Sequence, residues 1–207
     1  MKLFFQGITM IDTMITARYH SPIGVIRLVS DGNSLTELQF ANGKDEKKRL
    51  VKNPEETEPQ NQPTGQNLSV FAETRRWLDL YFNGIIPDFT PPIKPQGTLF
   101  QQKVWCELLA IPYGQTTTYG AIAKRIDCRS AQAIGQAIHR NPIAIIIPCH
   151  RVIGSNGSLT GYAAGLEIKQ ELLTIEKATE IILIQTQTPS PHSPTSPCQN
   201  GSDGLTE

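Results

Sequence analysis

The chain of 207 residues carries no net charge, with 19 Lys and Arg set against 19 Asp and Glu. Bulk electrostatics therefore name no partner. No two cysteines form a C-x-x-C pair, and the spacing of Cys106, Cys128, Cys149 and Cys198 fits no zinc template. Four scattered cysteines in a chain this long also argue against a disulfide framework, so reduced thiols in a cytosolic protein are expected. No apolar run is long enough to span a bilayer. The most apolar stretch, Ile143 to Pro148, is far too short. At the N-terminus, Leu3-Phe4-Phe5 is broken by Gln6-Gly7, and no signal-peptide core or small-residue cleavage site follows. These absences set the expectation of a soluble, cytoplasmic protein with no membrane partner.

What is present is organised in two halves. Residues 1–13 have no clear pattern, and Met10 and Met14 are alternative starts. Thr16 to His20, Val25 to Ser30 and Leu35 to Ala41 are short runs rich in β-branched and apolar residues. The turn signatures Ser21-Pro22-Ile23-Gly24 and Asp31-Gly32-Asn33 separate them. This pattern predicts a three-stranded antiparallel meander. Asn53 to Asn67, rich in Pro, Glu, Gln and Asn, reads as a surface loop. Val70, Phe71, Trp77, Leu78, Leu80, Tyr81 and Phe82 then fall at helical spacing, closed by Asn83-Gly84. The proline-rich stretch Pro87 to Pro95 is taken as an interdomain linker.

In the second half, Phe100, Val104, Leu108 and Leu109 predict an amphipathic helix ended by Ile111-Pro112-Tyr113-Gly114. Thr117 or Thr118 can cap a short helix through Ile126, and Ser130 can cap another from Ala131 to Arg140. Ala131, Ala133, Gly135 and Ala137 make that second helix slim. Two short helices joined by a tight turn form a helix-turn-helix layout. From Thr98 to Lys177 there are eight basic and five acidic residues, a modest positive excess compatible with nucleic acid. Ile143 to Ile147 reads as a buried extended segment that delivers Pro148-Cys149-His150-Arg151-Val152. Asn156-Gly157 suggests a hairpin or wing. Leu166 to Glu176 has helical spacing, and the Thr-, Ser- and Pro-rich tail from Gln185 has almost nothing to bury.

Cys149 next to His150 is the chemically suggestive pair. A free thiol has a pKa of about 8.5, so a nucleophilic role needs a base. Adjacent side chains on an extended chain point opposite ways, so a water must bridge His150 to the Cys149 sulfur. A carboxylate behind the imidazole would set its tautomer, and Glu167, Glu171 and Glu176 all lie on the following helix.

Ile147-Pro148-Cys149-His150-Arg151-Val152 closely resembles the active-site signature of the O6-alkylguanine-DNA alkyltransferases. Ile111-Pro112-Tyr113-Gly114 with Thr118-Tyr119-Gly120 resembles that family's helix-turn-helix entry. Arg140-Asn141-Pro142 resembles the segment before the active strand. Ser158 to Leu166, followed by Lys169 and Leu172-Leu173, resembles the substrate loop and last helix. The likeness is co-linear from about Phe100 to Glu176, and Ser21-Pro22-Ile23-Gly24 resembles the start of the family's N-terminal domain.

The resemblance implies a DNA-repair methyltransferase that moves the methyl of O6-methylguanine, or of O4-methylthymine, irreversibly onto Cys149 after flipping the base from a duplex. It implies His150 as water-mediated base, Glu176 as the carboxylate that orients it, Asn141 as a brace and Tyr119 as donor to the departing base. The substrate would lie against Val152, Tyr162, Ala163, Ala164 and Lys169, with the Cys149 and Val152 carbonyls as acceptors and the Ala163 N–H as a donor to O6. DNA would meet Ala131, Gln132, Ala133, Gly135, Arg140 and Arg151. Gln132 falls where the family usually places an intercalating arginine. Relatives that bind zinc do so in the N-terminal domain, and no cysteine precedes Cys106, so neither metal nor cofactor is expected.

The expected class is α+β. A small antiparallel three-stranded sheet with a helix precedes a mostly helical, winged-helix-like domain carrying the helix-turn-helix and the active-site cysteine. Residues 14–95 form the first domain with its linker, 96–182 the DNA-binding and methyltransferase domain, and 183–207 a disordered tail. A monomer acting on double-stranded DNA with O6-alkylguanine is expected. Two competitors are a lesion-sensing relative without catalysis, which would lack the cysteine, and a Cys-His hydrolase, which would turn over.

Overall fold

The computed structural model describes residues 14–41 and 68–183, with side chains of the last helix described as far as Glu176. The expectations for residues 1–13, for the loop 53–67 and for the tail from 184 lie outside the described residues.

The meander forms as its turns dictate. Strands β1 (Ile15–Ser21), β2 (Gly24–Ser30) and β3 (Leu35–Phe40) pair antiparallel in the order β1-β2-β3. The first turn closes at Gly24, whose φ of +137° suits glycine, and the Ser21 hydroxyl donates to its carbonyl at 2.6 Å. In the second, Asp31 Oδ1 accepts from the Asn33 and Ser34 amides at 3.1 and 2.8 Å. Helix α1 (Ser69–Phe82) buries Val70, Phe71, Thr74, Trp77, Leu78 and Tyr81, one stripe at helical spacing. It stops at Asn83-Gly84, where Gly84 takes φ +72° and the Ile85 amide reaches back to the Leu80 carbonyl at 3.0 Å.

The proline-rich linker is more ordered than its composition suggests. Proline cannot donate, but its carbonyl accepts. The Leu35 amide donates to the Pro92 carbonyl at 2.8 Å, and the Lys94 amide to the Leu35 carbonyl at 2.8 Å. Three residues along β3, Leu38 bonds the second half directly. Its amide donates to Pro142 at 2.9 Å, and its carbonyl accepts from Ala144 at 2.8 Å. The sheet thus holds the chain just upstream of Cys149. A single hydrophobic core runs from Ile26 through Trp105 and Ile147 to Leu172, joining both halves.

Helix α2 (Leu99–Leu109) starts at a capping box between Thr98 and Gln101. The two-residue strand β4 (Thr117–Thr118) leads into α3 (Tyr119–Arg125), capped by Thr118. A tight turn with Asp127 at φ +54° then gives α4 (Ala131–His139), capped by Ser130. Helix α4 buries Ile134, Ala137 and Ile138, and Trp105 Nε1 donates to the Ala137 carbonyl at 2.9 Å, pinning α4 against α2. Strand β5 (Val152–Ile153) pairs parallel with β4, and α5 (Leu166–Leu183) closes the described chain.

One expectation is corrected. Ile143 to Ile147 is buried, but it is not extended. Residues 144–146 form a turn with Ile145 at φ +67°, and Cys149–Arg151 is a 3-10 turn. A continuous apolar run reports burial and cannot distinguish a strand from a buried turn. Among the described residues no helix is long and apolar enough to cross a membrane. Cys128 and Cys149 are free thiols.

Candidate active site

Cys149 lies at the start of the 3-10 turn, only 7% exposed. Asn141 braces it. The Asn141 Nδ2 donates to the Ile147 carbonyl at 2.8 Å and to Cys149 Sγ at 3.1 Å, while its Oδ1 accepts from the Ile143 amide at 3.0 Å. One side chain therefore closes the turn containing the strained Ile145 and aims the sulfur. Burial pushes the Cys149 thiol above its ordinary value, opposed by the Asn141 hydrogen bond and the Lys169 charge. A thiol so placed stays protonated until a base takes its proton.

The candidate base, His150, is adjacent and fully buried. His150 Nε2 lies 2.6 Å from Glu176 Oε1, which fixes the proton on Nε2, while Nδ1 has no partner among the described residues. Nδ1 is thus the atom that can reach the sulfur through a water. Burial lowers the His150 pKa, and the hydrogen bond and charge of Glu176 oppose that shift. Burial alone would raise Glu176, but His150 and Arg151 together hold it down at about 2. Glu176 is buried, whereas Glu167 and Glu171, the other two candidates, are exposed.

Arg151 corrects the sequence reading. It was expected at the DNA surface, but its side chain is buried inside. Its Nε donates to Glu176 Oε2 at 2.9 Å, its Nη1 to the Ile111 carbonyl at 2.6 Å, and its guanidinium lies 5.5 Å from the Tyr113 ring centre. A buried carboxylate needs such a countercharge.

The other side of Cys149 faces a loop. A cavity of about 20 Å³ beside Cys149 is lined by Asn141, Tyr162, Ala163 and Ala164, and from the sheet by Gln39. That volume admits a water and excludes a purine. Burial keeps the Tyr162 phenol protonated, with the Cys149 charge acting the same way. Lys169 does not line this cavity. It is fully buried, and its Nζ donates to the Val152 carbonyl at 2.6 Å and the Thr160 carbonyl at 2.8 Å. It therefore fastens the loop, and Val152 keeps one lone pair for another donor. Tyr119 also holds the loop, its hydroxyl donating to the Thr160 carbonyl at 3.3 Å. Gly135 on α4 faces that ring, and a Cβ there would meet Tyr119 Cε1 at an ordinary contact distance of 3.8 Å.

Along the outer face of α4, Gln132, Gly135, Gln136, His139 and Arg140 line an open groove. His139 also borders the cavity beside Cys149, so groove and sulfur share a rim. Ala131 is exposed, Ala133 half-buried, and Arg129 and Arg140 are exposed cations at either end of the helix.

Two family models cover this chain. The 6-O-methylguanine DNA methyltransferase ribonuclease-like domain matches residues 14–95, and the DNA-binding domain of the same family matches residues 99–178. The chain belongs to the 6-O-methylguanine DNA methyltransferase family. It is 45% identical over 164 residues to the methylated-DNA–protein-cysteine methyltransferase of Methanosarcina acetivorans, covering 79% of this chain and 98% of that one. It is 42% identical to the Haemophilus influenzae protein of the same name, over 77% of this chain and 84% of that one. Among solved structures it resembles the Mycobacterium tuberculosis O6-methylguanine methyltransferase, with a TM-score of 0.67 and 39% identity over 81% of this chain and 94% of that one. A second structure of the M. tuberculosis protein, OGT in complex with DNA, aligns with a TM-score of 0.63 and 38% identity over 80% of this chain and 93% of that one.

Two contributors to this methyltransferase-family site were missed in the sequence. Tyr81 of α1 donates to Glu176 Oε1 at 2.9 Å, and Gln39 of β3 donates to the Asn141 carbonyl at 2.6 Å. Both come from the first half. Tyr81 read as one more apolar position of an amphipathic helix, and nothing in the spacing announces a partner 95 residues away.

Proposed function

We propose that this protein repairs DNA by moving the methyl group of O6-methylguanine in a duplex to Cys149 Sγ, once and irreversibly. The observation that carries this reading is the relay itself, a buried thiol aimed by Asn141 beside a histidine locked at 2.6 Å to a buried carboxylate. His150 takes the thiol proton through water, the sulfur attacks the methyl carbon, and the O6–CH3 bond breaks as the S–CH3 bond forms. Guanine leaves as its anion and is neutralised by a proton from a hydrogen-bond donor such as Tyr119. Donors placed where charge develops lower such a barrier. A thioether cannot be hydrolysed by the same site, so the protein is consumed.

A base inside a duplex is out of reach of a buried sulfur, so it must be flipped. The slim, groove-lining face of α4 with its flanking cations supports entry from the minor groove, where little sequence is read. Tyr119 and Lys169 both hold Thr160, and the cavity is smaller than a base, so the loop from Ser158 to Gly165 swings outward to admit it. O4-methylthymine offers the same alkylated oxygen and is a second substrate in this reading. The protein works as a cytoplasmic monomer without cofactor or metal.

Intact mass spectrometry after incubation with an O6-methylguanine duplex tests the proposal. One added methylene per chain, mapped to Cys149, with no further turnover is expected. Modification at Cys128, or methyl removal beyond one equivalent, overturns it.

A further inference from the structure

Glu176 Oε1 accepts from three residues: His150, Tyr81 and Arg151, whose Nη2 donates to it at 3.0 Å. His150 Nε2 approaches it at 2.6 Å from the 3-10 turn, and the Tyr81 hydroxyl at 2.9 Å from α1. The same hydroxyl lies 3.4 Å from His150 Nε2 itself. Tyr81 is fully buried, stacks on Trp77 at 5.4 Å, and meets Tyr113 edge-on at 5.8 Å, so its hydroxyl has no other place to turn. Both carboxylate oxygens are otherwise engaged. Arg151 reaches each, and the Gly114 amide donates to Oε2 at 3.1 Å.

We propose that Tyr81 is a positioning residue for methyl transfer, setting the proton affinity of His150 by sharing the carboxylate oxygen on which that histidine depends. The argument rests on the methyl-transfer reading above. A carboxylate oxygen that accepts from Tyr81 as well as from Arg151 is a weaker acceptor for Nε2–H than one that His150 shares with Arg151 alone. Histidine must be neutral to take the thiol proton, and an oxygen relieved of the Tyr81 hydrogen bond would favour the imidazolium more before the thiol reacts. Tyr81 remains a donor throughout, because burial and then the Glu176 charge keep its phenol protonated. The charged and titratable groups around the pair are Arg151 from the turn, Lys169 on α5, Tyr113 ahead of β4, and Tyr162 of the loop beside Cys149. Tyr81 is the one contributed by the first half of the chain, so the sheet-and-helix half acts on the relay.

The test is Tyr81→Phe, which removes one oxygen and leaves the ring packing. His150 titration is followed by NMR of its ring Cε1 proton, a readout that needs no methyl transfer. We expect the His150 pKa to rise by roughly half to one unit, with the acidic limb of the methyl-transfer rate moving to higher pH by the same amount. Tyr19→Phe is the control, since Tyr19 donates at 2.8 Å to Asp79 on the opposite side of α1 and touches no relay group. It should leave the titration in place. An unchanged His150 titration in Tyr81→Phe, or a rate lowered equally at every pH, overturns the proposal. A shifted titration in a protein whose Cys149 never gains a methyl would refute the function proposed above and leave the Tyr81–Glu176–His150 coupling standing.

Discussion

The two sides of Cys149 are built on opposite plans. Behind it, His150, Arg151, Glu176 and Tyr81 are buried and joined by direct hydrogen bonds between 2.6 and 3.4 Å. In front, along α4, Gln132, Gln136, His139 and Arg140 stand exposed around an open groove. The buried side must be complete before substrate arrives, because a charge in low dielectric cannot wait for a partner. In the proposed reading, the exposed side gains its partners only when DNA supplies phosphates and bases. Substitutions on the two sides should therefore separate chemistry and stability from DNA affinity.

The largest effect should come where the two sides meet. Cys149→Ala removes the sulfur proposed to accept the methyl, so transfer should disappear while duplex binding persists, by mass spectrometry and gel shift. Residual transfer to another cysteine would break the comparison at its centre. Next is Glu176→Gln. It strips the imidazolium of its countercharge and leaves Arg151 buried beside a neutral amide. A loss of roughly a hundredfold in transfer rate is expected from weakened general-base action, and about 3–5 kcal/mol of stability from the broken buried pair. DNA affinity should hardly move. If Glu171→Gln, at an exposed position, is the slow variant instead, the relay has been assigned wrongly.

The buried side also imposes a pH signature. His150 has a lowered pKa in the folded chain, so unfolded chains bind more protons as pH falls below the ordinary value of 6.5, and stability declines there. Glu176 is held at about 2 against an ordinary 4.5, so its contribution is present above pH 4.5 and is lost as pH falls toward 2. Melting temperature should thus drop in two stages on acidification. In Glu176→Gln the lower stage should vanish. A single drop near pH 4.5 in the parent protein would show that His150 is not buried neutral.

Arginines sharpen the contrast further. Arg151 and Arg140 looked equivalent as cations beside a signature, yet one is buried against Glu176 and the other is exposed on α4. Arg151→Met should lower melting temperature and transfer together. Arg140→Ala should leave melting unchanged and weaken duplex binding, reducing the salt slope by about one if it meets a phosphate. The reverse pattern would exchange their roles.

What was legible in the sequence follows the same division. Local signals worked where the structure is local. The Ser21 and Asp31 turns, the Thr118 and Ser130 caps and the Asn83-Gly84 stop lie where the residue chemistry put them. The relay was partly legible because Cys149, His150 and Arg151 are contiguous and Glu176 lies on the next helix. It was incomplete because Tyr81 and Gln39 reach it through tertiary packing, which leaves no periodic trace. The turn at Ile145 was hidden for a different reason: a buried β-branched residue at positive φ is maintained only by what surrounds it, here Asn141 and the edge of β3.

The smallest expected effect lies on the exposed side, at Gln132. It is exposed on the first turn of α4 and lines the groove. A glutamine there can fill space and hydrogen-bond a base but neutralises no phosphate. Gln132→Arg adds one cation to the groove, and a planar guanidinium that can stack on bases. Duplex affinity should rise by less than about tenfold at moderate salt, with the salt slope steepened by roughly one. Transfer from free O6-methylguanine base should stay the same, because nothing is flipped. Gln132→Ala should slow transfer from duplex more than from single strands, since the gap left by a flipped base goes unfilled. Rates for both variants on duplex, single-stranded and free-base substrates decide the matter. Equal effects on all three would remove residue 132 from the flipping step and pass that role to Arg129, the exposed cation just ahead of the same helix.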